Sequence, residues 1–217
     1  MLIVSGDRHR RERKPVSLIP IHLQVSSMAK HIIEFIKHPV NTATIAPDSK
    51  ELTRIVIEMA DLAKAKTVVE LGPGSGGFTE QIIKSIPPQT KFFSLEINRK
   101  FVKHTKKRCP AATVYHDDAL NLKEYMKKHK IQRCDSIVSG LPLTALSEDL
   151  QEQILKLVKE SLSPGGRFVT YTYVHRKKSK GNARLKRLFH DHFDRLEMSR
   201  IVWKNLPPAY VYCAIKE

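Results

Sequence analysis

Cysteine is scarce. Cys109, Cys134 and Cys213 are the three in 217 residues, and no two of them form a C-x-x-C pair. That spacing excludes zinc-ribbon and thiol-redox chemistry and suits a reducing cytosol. Long apolar runs are missing too. The best of them, such as residues 168–174, fall far short of the roughly 20 residues a membrane-spanning helix needs, so any membrane contact must be peripheral. The apolar stretch at residues 1–4 is too short for the core of a secretory signal. Acidic side chains are few: 22 Asp and Glu stand against 38 Lys and Arg, a net charge of +16. Such an excess implies an anionic partner, either nucleic acid or an acidic membrane surface at the cytoplasmic face. Internal repeats and low-complexity segments are absent. Hydrophobic residues at 41% suffice for a packed core, which excludes disorder throughout. The length suits one domain, typically about 100–200 residues, with a short appendage.

Residues 1–22 carry Arg8, Arg10, Arg11, Arg13 and Lys14 and read as a flexible basic tail. In residues 23–38 the apolar positions Leu23, Met28, Ile32, Ile33, Phe35 and Ile36 recur at helical spacing. Residues 23–46 are therefore expected to form an amphipathic helix, stopped before Pro39, and a lid-like segment. The helix either packs on the core or anchors the chain to a membrane. Asp48 is placed as N-cap of a second helix bearing Leu52, Ile55, Val56, Met59 and Leu62. A strict alternation follows over the rest of residues 47–217. Strands are expected at 67–71, 92–97, 112–115, 134–138 and 167–174, with helices at 78–85, through 107, and at 122–128, 150–162 and 183–192. The Pro164-Gly165-Gly166 triplet reads as a turn before the fifth strand, and 175–182 as a polar loop. Two late strands, 195–203 and 209–215, have no helix between them. The whole predicts an α/β fold: a doubly wound, Rossmann-like, seven-stranded sheet with an antiparallel pair at one edge.

The strongest chemical signal is Glu70-Leu71-Gly72-Pro73-Gly74-Ser75-Gly76, directly after the first strand and opening a helix. Glycines at 72, 74 and 76 let a ligand approach the backbone, and the helix start offers free N–H groups. Glycines also serve ordinary strand-to-helix turns, so the context decides. Glu96 ends the second strand, where an acid can accept both hydroxyls of a ribose, although it can equally be a surface carboxylate. Asp118-Ala119 follows the third strand. It can hold an adenine edge through the carboxylate and a backbone N–H, or simply cap a helix. Ser139-Gly140-Leu141-Pro142-Leu143 closes the fourth strand, where open α/β sheets place their ligand crevice. A structural turn is the plain alternative there. His190 and His192 flank Asp191 without further ligands nearby, so no metal site is expected.

Together, the acidic glycine-rich turn, the acid closing strand two and the acid after strand three resemble the cofactor site of S-adenosylmethionine-dependent methyltransferases. The dinucleotide-binding dehydrogenases fit less well, because ELGPGSG lacks their glycine spacing. In the rRNA adenine dimethyltransferases the strand-four turn reads Asn-Leu-Pro-Tyr. Gly140, Leu141, Pro142 and Leu143 stand here instead, without the amide or the aromatic that would take a flipped base. SGLPL, SPGGRFVTYTYVH, WKNLPPAYVY and HPVNTATIAPDSKEL all resemble the soluble bacterial phospholipid N-methyltransferases, from about Lys30 to the C-terminus. One departure is Asp117, where that family and its rRNA relatives usually have glycine.

This resemblance implies methyl transfer from S-adenosylmethionine to the amine of phosphatidylethanolamine, and onward through its mono- and dimethyl forms to phosphatidylcholine; some relatives use ornithine lipids. It implies cofactor contacts from Glu70, Gly72, Gly74, Gly76, Glu96, Asp118, Ala119 and Ser139. The amine would meet the carbonyls of Gly140 and Leu141 beside Pro142, with Tyr173 and His175 orienting it or taking its proton; the plain alternatives are that Tyr173 packs and that His175 is a surface residue. Clusters such as Arg176-Lys177-Lys178 would meet lipid phosphate. An rRNA adenine N-methyltransferase and a non-catalytic basic binding module with a relic pocket are the rival expectations. No obligate protein partner is evident.

Overall fold

The structure is a computed structural model that describes residues 48–217; the basic tail and the amphipathic segment expected over 1–46 lie outside the described residues. Among the described residues six α-helices alternate with seven strands. In chain order they are α1 (Lys50–Ala60), β1 (Thr67–Leu71), α2 (Gly77–Ser85), β2 (Lys91–Glu96), α3 (Arg99–Arg108), β3 (Val114–His116) and α4 (Leu122–Lys128). β4 (Cys134–Ser139), α5 (Glu148–Ser161), β5 (Leu162–Tyr173), α6 (Lys180–His192), β6 (Arg195–Met198) and β7 (Ala209–Ile215) complete them. The sheet runs β3-β2-β1-β4-β5-β7-β6, parallel from β3 to β5, with β7 antiparallel to both β5 and β6. This is the doubly wound sheet with an antiparallel edge expected above.

Strand alternation produces the two layers. Val69 and Leu71 join Phe93, Leu95, Ile137 and Phe168 beneath α4, α5 and α6. Val68, Val138 and Val169 point the other way, against Leu52, Ile55 and Val56 of α1 and Ile82 of α2. Buried on both faces, β1 reads as a near-continuous apolar run, as a central parallel strand must. No helix among the described residues is long and apolar enough to cross a membrane.

Most boundaries shift by a residue or two, and four departures from the sequence expectation have an identifiable local reason. Ser49, not Asp48, caps α1, its hydroxyl accepting from Leu52 N–H at 3.1 Å. Helix α6 starts at Lys180 because Ser179 caps the N–H of Asn182 at 3.1 Å. The Pro164–Gly166 turn lies inside β5: pairing with β4 steps from Cys134↔Leu162 to Ser136↔Arg167, and Gly165 takes φ +75°. Strand β6 stops at Met198. There the Ser199 hydroxyl, accepting from Val211 N–H at 2.9 Å, takes a ladder position, and Val202 keeps only an isolated bridge to Ala209.

The order of strands reverses direction between β1 and β4, and open α/β sheets hold their ligands at the carboxyl ends beside such a switch. Gly140 N–H donates to Leu71 carbonyl at 2.8 Å, and Gly72 N–H to Leu95 carbonyl at 2.8 Å. A Cβ on Gly140 would sit 2.4 Å from the Gly72 carbonyl oxygen. The two strand ends meet this closely because both residues lack side chains.

Candidate active site

A cleft of about 580 Å³, its open mouth included, lies over this junction. Its floor is Gly72, Gly74 and Gly140; Glu96, Asp117, Asp118 and Ala119 line one side, and Leu141 and Pro142 the other. Leu95, Ile97 and Phe101 add an apolar wall. Gly72 and Gly74 hold φ of +71° and +56°, a region that side-chain-bearing residues rarely adopt. The loop is clamped from α3, where the Thr105 hydroxyl donates to the Gly74 carbonyl at 2.8 Å.

Three acids behave differently around it. Glu96 accepts from Gly74 N–H at 3.1 Å and Asn98 N–H at 2.8 Å; burial raises its pKa, and these hydrogen bonds oppose the rise. Asp118 divides its two oxygens: Oδ1 accepts from Leu120 N–H at 2.9 Å, whereas Oδ2 is buried without a partner. Both expectations for Asp118, a cap and a ligand contact, are thus compatible in one side chain. A buried unpaired oxygen on a cleft wall is costly unless something donates to it. Asp117 accepts from Asp118 N–H, the Asn121 amide and, at 2.7 Å, the Tyr125 hydroxyl. Burial pushes its carboxyl up, but the three bonds outweigh that and hold it below its usual value. The residue that departs from glycine therefore builds its turn from side-chain bonds. A pair of acids, an unpaired acceptor and an apolar wall over bare backbone fit a nucleoside carrying a positive charge. S-adenosylmethionine satisfies all three demands.

Not every expected cofactor residue reaches the cleft. Glu70 faces the α1–α2 layer at 1% exposure, where the hydroxyls of Thr79 and Ser94 donate to it at 2.7 and 2.8 Å. Burial lifts it to about 7, against the pull of those two bonds. Gly76 caps α2 and packs on Thr105, and Ser139 is buried, its hydroxyl accepting from Leu141 N–H at 3.2 Å. These three residues support the loops that line the cleft.

Tyr173 and His175 also lie outside the lining, farther along the same carboxyl edge. Their rings stack at 5.6 Å and 11°, and Tyr171 meets Tyr173 edge-on at 5.7 Å and Phe78 of α2 at 5.5 Å. Asp48, half-buried beside them, is lifted by burial to about 6. Burial, and then the Asp48 charge, raise both tyrosine hydroxyls. Sequence reasoning missed Asp48 in this role, because nothing near it in the chain announces partners as distant as Tyr171 and Tyr173. It also missed Phe101, and the clamp on the Gly140–Leu146 stretch. There Gln151 donates to the Leu143 carbonyl at 2.6 Å and Arg184 to the Leu146 carbonyl at 3.1 Å.

Comparison with known proteins fits this geometry. Residues 44–186 match the family model described as ribosomal RNA adenine dimethylase. An ornithine lipid N-methyltransferase of Singulisphaera acidiphila is 30% identical over 185 residues, 82% of this chain and 91% of that protein. Ribosomal RNA small subunit methyltransferase A of Wolbachia pipientis is 29% identical over 110 residues, 51% of this chain but 31% of its own length. Among solved structures, the O-methyltransferase TomG of Streptomyces achromogenes, in complex with SAM, superposes with a TM-score of 0.60. Its identity is 15%, with 93% of each chain covered, which speaks for the fold.

Proposed function

The chain belongs to the ribosomal RNA adenine dimethylase family, and on that premise we propose that its acceptor is the primary amine of a membrane lipid. The chain is an S-adenosylmethionine-dependent methyltransferase of the class I fold; the proposal concerns what it methylates and which residues do so.

The observation that carries the lipid reading is the turn after β4. Gripping an adenine takes an amide for its exocyclic amine and a ring for its face. Gly140 has no side chain, and the space for one is filled by the Gly72 carbonyl at 2.4 Å. Leu143 is 2% exposed and packed into the core, so it offers nothing to a base. A small aliphatic amine needs only backbone carbonyls such as those of Gly140 and Leu141. The relative from Singulisphaera acidiphila, named for an ornithine lipid, supports the same class of acceptor. Phosphatidylethanolamine and ornithine lipid both present a primary amine; the mono- and dimethyl derivatives of the first would bring a secondary and a tertiary amine to the later transfers. SGLPL and NLPPA favour the first head group, and the relative's name favours the second.

In this reading Glu96 holds the ribose hydroxyls and Asp118 Oδ2, with the Ala119 N–H, holds the adenine edge. Gly72 and Gly74 give the rest of the cofactor an unobstructed floor, with Glu70, Gly76 and Ser139 as supports. The bound cofactor supplies an electrophilic methyl group. The chain must present an amine, neutral and in line, at about 3–3.5 Å from that carbon. A lipid ammonium is protonated near pH 7, so a proton acceptor is needed. Asp48 is the candidate, with Tyr173 orienting the amine and the His175 ring holding Tyr173 by stacking. Pro142 lines the cleft beside the carbonyls that would meet the amine.

The test is transfer of a radiolabelled methyl group to anionic vesicles containing phosphatidylethanolamine or ornithine lipid, with ribosomal RNA in parallel. Label in lipid is expected, and its position names the head group. Label confined to RNA would overturn the proposal.

A further inference from the structure

Among the described residues, the exposed large hydrophobic side chains are Met198, Trp203 and Leu206, at 51%, 68% and 77%. Scattered singly, such residues need no explanation, but these three fall on one connection, from the end of β6 to the start of β7. That connection is fixed. Val202 is buried and donates to the Ala209 carbonyl at 2.7 Å. Asn205 is buried too; its Oδ1 accepts from Ser49 N–H at 2.8 Å and its amide donates to the Pro207 carbonyl at 2.8 Å. With Val202 and Asn205 turned inward, Trp203 and Leu206 are held outward.

The surroundings are cationic. Residues 199–208 contain Arg200 and Lys204 and no acid, and Arg200 is paired with Glu51 of α1 at 2.8 Å. The Pro208 carbonyl accepts from Val174 N–H at 2.8 Å, which brings the turn bearing exposed Lys177 and Lys178 alongside. Ala209 pairs with Tyr173, so the loop stands on the same carboxyl edge as the Asp48–Tyr173 cluster. A tryptophan and aliphatic tips ringed by lysine and arginine match the boundary between head groups and acyl chains of an anionic bilayer. A phosphate backbone would use the cations but leave Met198 and Leu206 without a role.

We propose that this connection is the membrane-docking element: Trp203 and Leu206 enter the bilayer interface, while Lys204, Lys177 and Lys178 meet lipid phosphate. The inference rests on the lipid reading above and adds to it the place and orientation of docking. Bound this way, the protein turns Asp48 and Tyr173 toward the surface that supplies the amine.

Trp203 is the one tryptophan of the chain, so its emission reports on this loop alone. The experiment adds vesicles of phosphatidylethanolamine and phosphatidylglycerol to the full chain. A blue shift of emission and quenching by lipids brominated along their acyl chains are expected. W203A combined with L206A should weaken vesicle partitioning by about tenfold or more, while cofactor affinity and methylation of a monomeric short-chain amino lipid stay unchanged. Vesicles that bind and are methylated without any change in Trp203 emission would overturn the docking element and leave the lipid reading intact. Emission already blue and shielded from aqueous quencher before vesicles are added would mean that residues 1–47 cover Trp203, and would overturn it too. So would a response to RNA alone; with label confined to RNA, that result would remove the lipid reading as well.

Discussion

On the side of β1, β2 and β3 the carboxyl edge of the sheet is lined by Glu96, Asp117 and Asp118, each of which accepts at least one backbone N–H. On the side of β5 and β7 it carries stacked rings and cations, and Asp48 is the acid whose charge reaches the tyrosines. The first side is assembled locally, each acid lying at or just beyond the end of the strand that positions it. The second draws on the start of α1, the end of β5 and the β6–β7 connection. A donor pocket built from strand ends can serve any acceptor, whereas an acceptor side gathered from distant segments belongs to one chain.

The floor shared by the two sides offers the strongest way to break this division. Gly140→Ala would force a Cβ against the Gly72 carbonyl. It should cost about 2–4 kcal/mol of stability in denaturant titration and abolish methyl transfer together with cofactor binding. A stable, active variant would show that the strand ends can separate and that the sides are independent. Glu96→Ala acts on the donor side alone. Cofactor affinity by calorimetry should fall about 100-fold, as loss of charge-assisted hydrogen bonds would give, with vesicle binding retained.

Asp48→Asn sharpens the other side. A carboxyl raised to about 6 becomes ionised as pH climbs through that value, so kcat of the native chain should rise across that range. The variant should lose this limb and about 100-fold in kcat, the lower end of general-base contributions, with cofactor affinity unchanged. An identical pH profile would remove Asp48 from proton transfer. The smallest effect concerns Glu70. Its folded pKa lies near 7, above the ordinary 4.5, so the folded state holds the proton more tightly. Stability contributed by that proton is full below 4.5 and declines as pH rises to about 7. Glu70→Gln should flatten this decline by on the order of 2 kcal/mol, seen as unfolding midpoints at pH 5 and 8. Asp48 adds a slope of the same sign, so the comparison is with the native chain under identical conditions.

Much of the donor side was legible because its signals are local. Strand β1 and helix α4 have the boundaries that apolar runs and turn residues announce, and Gly72, Gly74, Glu96 and Asp118 meet where the pattern places them. Glu70 was harder to read. Its sequence position says that it ends a strand, but strand alternation turns it away from Leu71 and into the layer with Thr79 and Ser94. Strand β6 looked longer because Ile201 to Trp203 are β-prone, and only the tertiary bond from Val211 to Ser199 shows why the ladder stops. Asp48 was read for its helix-capping chemistry, yet Ser49 beside it does that work. Its real neighbours become visible only when β5 is laid across α1.

The glycine pair at positions 72 and 140 also maps where this enzyme can change. A Cβ on Gly140 would collide with the Gly72 carbonyl, and one on Gly72 would press on the Leu141 side chain at 2.9 Å from a backbone conformation that favours glycine. Mutational tolerance should therefore be lowest at the floor and rise toward the β6–β7 connection. Efforts to redirect the enzyme to a new acceptor would find their working material at that outer connection, with the donor pocket inherited unchanged.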